Sequence, residues 1–246
     1  VGAPGGWALL EDPLHWLADY LESEARTDRE PDQLPSLASI HGRASRLLTM
    51  REAMDYLVNE RGLTEDTIKE YKLGWENEPH PAFTFPITNA QEMLVNFVRR
   101  PWPALAVGGR YITRRGRNQK NGGVQLYPNV PPDGPVLLCE GLFDAILGRQ
   151  EGLPTITSTH GVGTFLDEWL PLFEGRRVAV MFDVGAEKVM DKHVTTLRAA
   201  GAEAWPVRLN RLLPQGEGKD LSDYLTGGGT KQELIELIKR ERRARS

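Results

Sequence analysis

Apolar positions Leu14, Leu17, Ala18 and Leu21, with Trp16 beside them, recur at helical spacing and predict one amphipathic helix. The run from Glu24 to Pro35 is polar, holds two prolines and reads as a linker. Thr49-Met50-Arg51-Glu52 has the spacing of a capping box and predicts a helix to about Glu60, stopped by Gly62. Thr64 opens a second helix, with Ile68 and Tyr71 inward and Gly74 taking a left-handed position at its end. The pattern then becomes strand-like. Ala82 to Ile87 and Met93 to Arg99, on either side of Thr88-Asn89-Ala90-Gln91, predict a hairpin, with one more short strand near Tyr111.

After Pro131-Pro132-Asp133-Gly134 the rhythm changes again. Val136–Cys139, Thr155–Ser158, Val178–Phe182 and Ala204–Leu209 are short apolar or β-branched runs, separated by helical stretches around 142–151, 166–173 and 185–200. Strand and helix alternating in this way predict a parallel sheet with right-handed crossovers. Gly152, Gly175 and Gly201 fall where helices should stop. Thr230-Lys231-Gln232-Glu233 is a second capping box, opening a terminal helix with Leu234, Leu237 and Ile238 on one face. No internal repeat is evident. The expected fold is α/β: a Rossmann-like parallel sheet over 131–226, preceded by a smaller mixed α+β basic unit over 49–130. An N-terminal helical or linker segment over 1–48 and a C-terminal helix over 227–246 complete the division.

The 246 residues are 40% hydrophobic and 26% charged, an ordinary globular composition. No apolar run approaches the ~20 residues of a membrane span, so no membrane partner is expected. The chain begins at Val1 without a basic leader, which reads as a trimmed chain rather than a signal peptide. Cys139 is the only cysteine; it excludes an internal disulfide framework and a Cys-rich zinc site, and suits a reducing cytoplasm. The net charge of −4 conceals a local reversal. Arg99, Arg100, Arg110, Arg114, Arg115, Arg117 and Lys120 occupy a stretch with no acid, interleaved with glycine and set beside Trp102 and Tyr111. Without those seven charges the remainder stands at −11. Because screening limits charge effects to about 8–10 Å, the local cluster decides, and it predicts a phosphate-tracking surface over a merely solvated loop.

In parallel sheets, functional groups gather beyond the carboxyl ends of strands. Glu140 follows the first predicted strand directly, Asp144 falls in the turn after it, and Asp183 follows the third. Either Glu140 or Asp144 alone would serve as an ordinary helix N-terminal acid. Together with Asp183, they form a like-charged group that a hard cation such as Mg²⁺ would stabilise.

Val136-Leu-Leu-Cys-Glu-Gly-Leu-Phe-Asp144, Val178-Ala-Val-Met-Phe-Asp183 and Gly218-Lys-Asp-Leu-Ser-Asp-Tyr224 together resemble a TOPRIM domain, the fold shared by DnaG-type primases, topoisomerases and some nucleases. Upstream, Tyr56 to Gly74, Phe83-Thr-Phe-Pro-Ile87, Gly109-Arg-Tyr-Ile112 and Gln125-Leu-Tyr127 are similar to segments of the DnaG-type primase core, so the resemblance covers about 49–226. It implies a primase catalytic core that makes short RNA primers on a single-stranded DNA template from ribonucleoside triphosphates, with Mg²⁺ or Mn²⁺. It also implies a replicative helicase as a possible partner. Carried over by position, Glu140, Asp144 and Asp183 would be the catalytic metal ligands. Arg99, Arg100 and Arg110 would meet template or nucleotide phosphate, and Lys219 and Asp220 would lie in a loop reaching the metal rim. His160, between the second strand and Gly161, is a candidate phosphate contact or a turn residue. His15, His41, His80 and His193 have no ligand spacing, and the basic run at 239–245 reads as a helix end or tail.

The sequence departs from the family at one point. The usual pattern after the third strand is Asp-x-Asp and a short glycine-containing loop, whereas Asp183-Val184 runs straight into Gly185-Ala186-Glu187-Lys188. Either the second aspartate is absent and metal binding weaker, or several residues are lacking between Val184 and Gly185. The zinc module that precedes DnaG-type cores has no counterpart in a chain with one cysteine, and no P-loop motor is present. A DNA-cleaving TOPRIM enzyme and a metal-weakened nucleic-acid-binding module are the competing readings.

Overall fold

The structure, a computed structural model, describes residues 34–77, 81–102, 112–115, 124–213 and 218–244, with backbone alone for 112–115. The helix expected over 14–21 lies outside the described residues. The first described element is α1 (Leu37–Thr49), within the segment expected to be helical or linker. Ser36 caps it through the Ser39 amide, and it buries Ile40 and Leu47. The capping box expected at Thr49 is not formed. Thr49 ends α1 instead, its hydroxyl donating to the Arg46 carbonyl, and Met50 leads into α2 (Arg51–Asp55), which continues as a π turn (Tyr56–Glu60). Gly62, at φ +69°, turns the chain toward α3 (Glu65–Glu70), capped by Thr64 as expected. After α3 it is Lys72, at φ +50°, that takes the left-handed position; Gly74 already belongs to a strand, where a Cβ would meet Thr84 Oγ1 at 2.6 Å.

The first sheet runs β1 (Gly74–Glu76), β2 (Ala82–Thr88), β3 (Leu94–Pro101) and β4 (Ile112–Arg115), all antiparallel. The expected hairpin is β2–β3, its turn fixed by Asn89 Oδ1, which accepts from the Gln91 and Met93 amides. Pro86 is tolerated because β1 pairs only with Ala82 to Thr84, leaving no ladder bond on that side for its missing N–H.

The second sheet has the order β5-β7-β6-β8-β9, from β5 (Leu126–Tyr127), β6 (Val136–Leu138), β7 (Thr155–Ser158), β8 (Arg177–Val180) and β9 (Glu203–Pro206). β6 to β9 are parallel, as the alternating pattern requires, while β5 adds an antiparallel edge from before residue 131. One face carries α5 (Glu187–Ala199), whose Met190, Val194 and Leu197 pack on Val178 and Val180. The other carries α6 (Leu221–Thr226) and α7 (Lys231–Arg243), packing Leu221, Leu234 and Leu237 near Trp205 and Ala179. The Thr230–Glu233 capping box forms as read. Residues 167–173 are a 3₁₀ helix rather than an α-helix, because Pro171 withholds a backbone donor.

The two sheets meet through α4 (Leu142–Gln150). Leu142, Phe143, Ile146 and Leu147 share one buried cluster with Tyr56, Phe83 and Phe85 of the first unit. Phe143 sits within 5.1–6.4 Å, ring centre to ring centre, of Phe85, Phe83 and Tyr56. This seam sets the first unit against the carboxyl ends of the parallel strands.

Candidate metal centre and its surroundings

β6 ends at Leu138, and two residues later Glu140 stands half-buried at the rim. Thr157 of β7 anchors its backbone by donating to the Glu140 carbonyl at 2.7 Å. Its side chain turns toward the next strand, where Oε2 accepts the Asp183 amide at 3.2 Å. Gly141 caps α4, and a Cβ there would lie 2.5 Å from Asp144 Oδ2; glycine lets the Asp144 carboxyl fold back over the helix start. Asp144 is buried and held by Ser222 of α6, whose amide and hydroxyl both donate to Oδ1, at 3.1 and 2.8 Å.

Asp183 arrives beyond β8. Its carbonyl accepts from Ala186, which closes a tight turn with Gly185 at φ +101°. The amide of Val184 donates to the Lys219 carbonyl, and that contact docks the 218–220 loop against the rim. Asp220, the N-cap of α6, accepts the Asp223 amide at 2.8 Å and brings a third carboxyl inward. Asp144, Asp183 and Asp220 each offer an oxygen within 4.8 Å of the others. Three hard oxygen donors at this spacing could hold a divalent metal ion. Glu140 flanks the trio.

Burial raises the Asp183 carboxyl to about 6, helped by the charges of Glu140 and Asp220 and opposed by Lys219. Asp220 is likewise pushed to about 6 by burial and then by Asp144. Burial also raises Glu140 and Asp144 from the usual carboxylate range, the Ser222 bonds opposing it at Asp144. Among the described residues, two cations are placed against this strain. Lys219 Nζ lies 3.4 Å from Asp183 Oδ2 with most of its side chain in solvent. Arg61, from the turn before α3, donates to Tyr56 Oη at 2.7 Å, reaches 3.8 Å from Asp220 Oδ2 and lies over the Tyr56 and Phe143 rings.

The structure thus brings Asp144 and Asp183 together, keeps Glu140 beside them and adds Asp220 as a full member of the cluster. The resemblance implied for Asp220 only a loop reaching the metal rim, and the structure makes it a member of the acidic cluster itself. Arg61 was missed. Its only sequence mark is an Arg-Gly pair after a helix, which reads as an ordinary stop. At Asp183–Gly185 the turn supplies no second acid to the cluster: Glu187 accepts from the Gly185 amide instead.

The basic candidates divide. Arg100 extends over the ring of Phe143, the residue before Asp144, at 4.8 Å. Arg99 departs from the expectation that it faces phosphate. It is 3% exposed and ion-paired with Glu76 Oε1 at 3.0 Å, because alternation on β3 sends it to the opposite face from Arg100. Arg114 and Arg115 lie on β4, paired with Phe97 and Asn96 of β3; their side chains, with Arg110, Arg117 and Lys120, lie outside the described residues. His160 follows β7 in a turn, its amide donating to Ser158 Oγ at 3.3 Å. His193 is no ligand: its ring is buried between Phe165 and Phe182, with Nδ1 on the Val189 carbonyl.

No family model matches this sequence, and no curated protein does. Solved structures do. The Aquifex aeolicus primase (zinc-binding and RNA polymerase domains) superposes with a TM-score of 0.62 at 20% identity, covering 92% of this chain and 67% of that one. A DnaG primase catalytic domain bound to single-stranded DNA gives 0.59 at 18% identity, covering 93% and 78%. The primase fragment of the bacteriophage T7 primase-helicase protein gives 0.56 at 15%, covering 87% and 84%. Among the described residues, no helix is long and apolar enough to cross a membrane. The chain therefore has the fold of primase catalytic cores.

Proposed function

We propose that this protein is a primase catalytic core, a nucleotidyltransferase that joins ribonucleoside triphosphates into short RNA primers on a single-stranded DNA template in the cytoplasm. The observation that carries this reading is the convergence of Asp144, Asp183 and Asp220, with Glu140 beside them, at the seam between a parallel sheet and a smaller antiparallel unit. Residues 131–226 form the TOPRIM unit in this reading. Residues 49–130 form the template-side unit and lend β5 to the second sheet.

The three aspartates would hold Mg²⁺ or Mn²⁺, with Glu140 beside them accepting the Asp183 amide and available as a further ligand. When bound there, the ion would counter the charge on a transferring phosphoryl group and ease deprotonation of the attacking hydroxyl. The chain's own groups complete the site. Ser222 and Gly141 fix the Asp144 carboxyl, and the exposed Lys219 ammonium offers charge to an incoming triphosphate. Arg100, Arg110, Arg114, Arg115, Arg117 and Lys120 are the proposed phosphate contacts, with His160 a further candidate on the same rim. Arg99 has no part in this.

The test is incubation with single-stranded DNA, labelled ribonucleoside triphosphates and Mn²⁺. Template-dependent oligoribonucleotides support the reading. Nicked DNA would point to a TOPRIM nuclease or topoisomerase, and binding without product to a weakened nucleic-acid-binding module, the alternative favoured by the lone acid in the Asp183 turn. A helicase partner would show as primer synthesis stimulated when the helicase is added.

A further inference from the structure

At the amino ends of the parallel strands, opposite the acidic rim, a groove of about 260 Å³ opens between β6, β9 and α7. Val136, Leu153, Trp205, Ile235 and Ile238 contribute apolar surface to its wall. The indole N–H of Trp205 is already committed to the Ile238 carbonyl at 3.1 Å, so it offers no donor to a ligand. Around this apolar slot stand Arg177, Lys231, Lys239 and Arg242. Two of these cations are neutralised: Arg242 grips Glu203 at 2.6 and 2.9 Å, and Lys239 meets Glu236 at 2.9 Å. Among the described residues Lys231 has no ion pair, while Arg177 stands opposite Glu203 across β8 and β9 and shares that carboxylate with Arg242; both cations are exposed. The rim therefore carries surplus positive charge on a protein whose net charge is −4.

The volume is below the ~300 Å³ at which small-molecule sites begin, and suits an anchoring side chain or two. A nucleic-acid base would need donors and acceptors that the wall does not present. We propose that this groove docks an acidic peptide segment of a partner protein, with a bulky apolar side chain in the slot and flanking carboxylates on Arg177 and Lys231. An apolar anchor ringed by complementary charge is the usual design of a short-peptide site. Since the groove lies at the far end of the strands from Glu140 and Asp183, a docked partner leaves the acidic rim open.

The assay uses the whole chain and does not depend on the primase reading. A fluorescein-labelled peptide Glu-Asp-Glu-Leu-Phe-Asp-Glu is titrated by fluorescence anisotropy, beside a control with lysine at every acidic position and beside labelled oligo(dT). The acidic peptide should bind with Kd on the order of tens of micromolar, weakening with salt, and the lysine peptide should not. The double variant Arg177→Gln with Lys231→Gln should weaken binding at least about tenfold, and Ile238→Ala should weaken it several-fold, with the fold of the charge variant checked by its thermal midpoint. Three results would overturn the proposal: no binding at millimolar protein, equal binding of both peptides, or affinity indifferent to the variants. Oligo(dT) displacing the peptide and losing affinity in the same double variant would also overturn it and assign the groove to a nucleic-acid strand.

Discussion

On the first sheet the buried guanidinium of Arg99 meets Glu76 at 3.0 Å, and the same carboxylate takes Arg43 at 2.8 Å. At the ends of the parallel strands, four carboxyls crowd together, and among the described residues Lys219 and Arg61 are the cations set against them. Both regions are rich in charge. In the first, opposite charges answer each other out of water, and the result is a structural tie between α1, β1 and β3. In the second, like charges are gathered and partly buried, and among the described residues they outnumber the cations beside them, so their protonation is displaced upward. A fold keeps such strain where something else is meant to relieve it, so the unmet charge marks the site more reliably than charge density does.

Breaking the satisfied region should have the larger effect on folding. Glu76→Ala leaves Arg99 buried without its carboxylate and is expected to destabilise by about 3–5 kcal/mol, read as a lower denaturation midpoint at unchanged slope. Glu76→Asp should recover part of that loss. On the strained side, Asp183→Asn and Glu140→Gln should each cut oligoribonucleotide yield by about a hundredfold or more while leaving DNA affinity unchanged, measured on one batch of protein. If both activity and DNA binding fell together, the acids would be structural like Glu76, and the contrast would vanish.

The same strain predicts a pH dependence. Asp183 and Asp220 titrate near 6 in the folded chain against an ordinary 3.8, so the unfolded chain gives up these protons first. Their contribution to metal-free stability is therefore intact below pH 4 and is lost as the pH rises from 4 to 6. Asp183→Asn and Asp220→Asn should raise metal-free stability at pH 7.5 by on the order of 1–3 kcal/mol, and should gain nothing at pH 4, by denaturant titration at the two pH values. A smaller effect is expected far from both regions: Thr230→Ala removes the α7 cap and should cost about 1 kcal/mol with no change in metal affinity.

The parallel sheet was legible because its strands are short apolar or β-branched runs and each connection has its own stop signal, so Glu140, Asp144 and Asp183 could be placed by counting past strand ends. Asp220 was placed only as far as a loop near the metal rim, because it comes after the last strand and the packing of α6 against α4 is what carries its carboxyl into the cluster. Arg99 and Arg100 are adjacent and chemically identical in the sequence. Which one is buried depends on strand register and on Glu76, more than twenty residues away. The Thr49 box failed for a related reason: the helix before it was not foreseen, and its last turn captured the hydroxyl. The curve of the chain at Lys72 shows the limit of reading glycine as the default stop, for the left-handed residue came two positions earlier.

These carboxyls would form one divalent-ion site. Titrating the protein with Mn²⁺ at pH 7.5 while following free Mn²⁺ by electron paramagnetic resonance tests it without reference to catalysis. Saturable binding at the cluster is expected, weakened at least about tenfold in both Asp183→Asn and Asp220→Asn and falling as the pH drops below 6. No binding at millimolar Mn²⁺, or binding that neither variant alters, would contradict it.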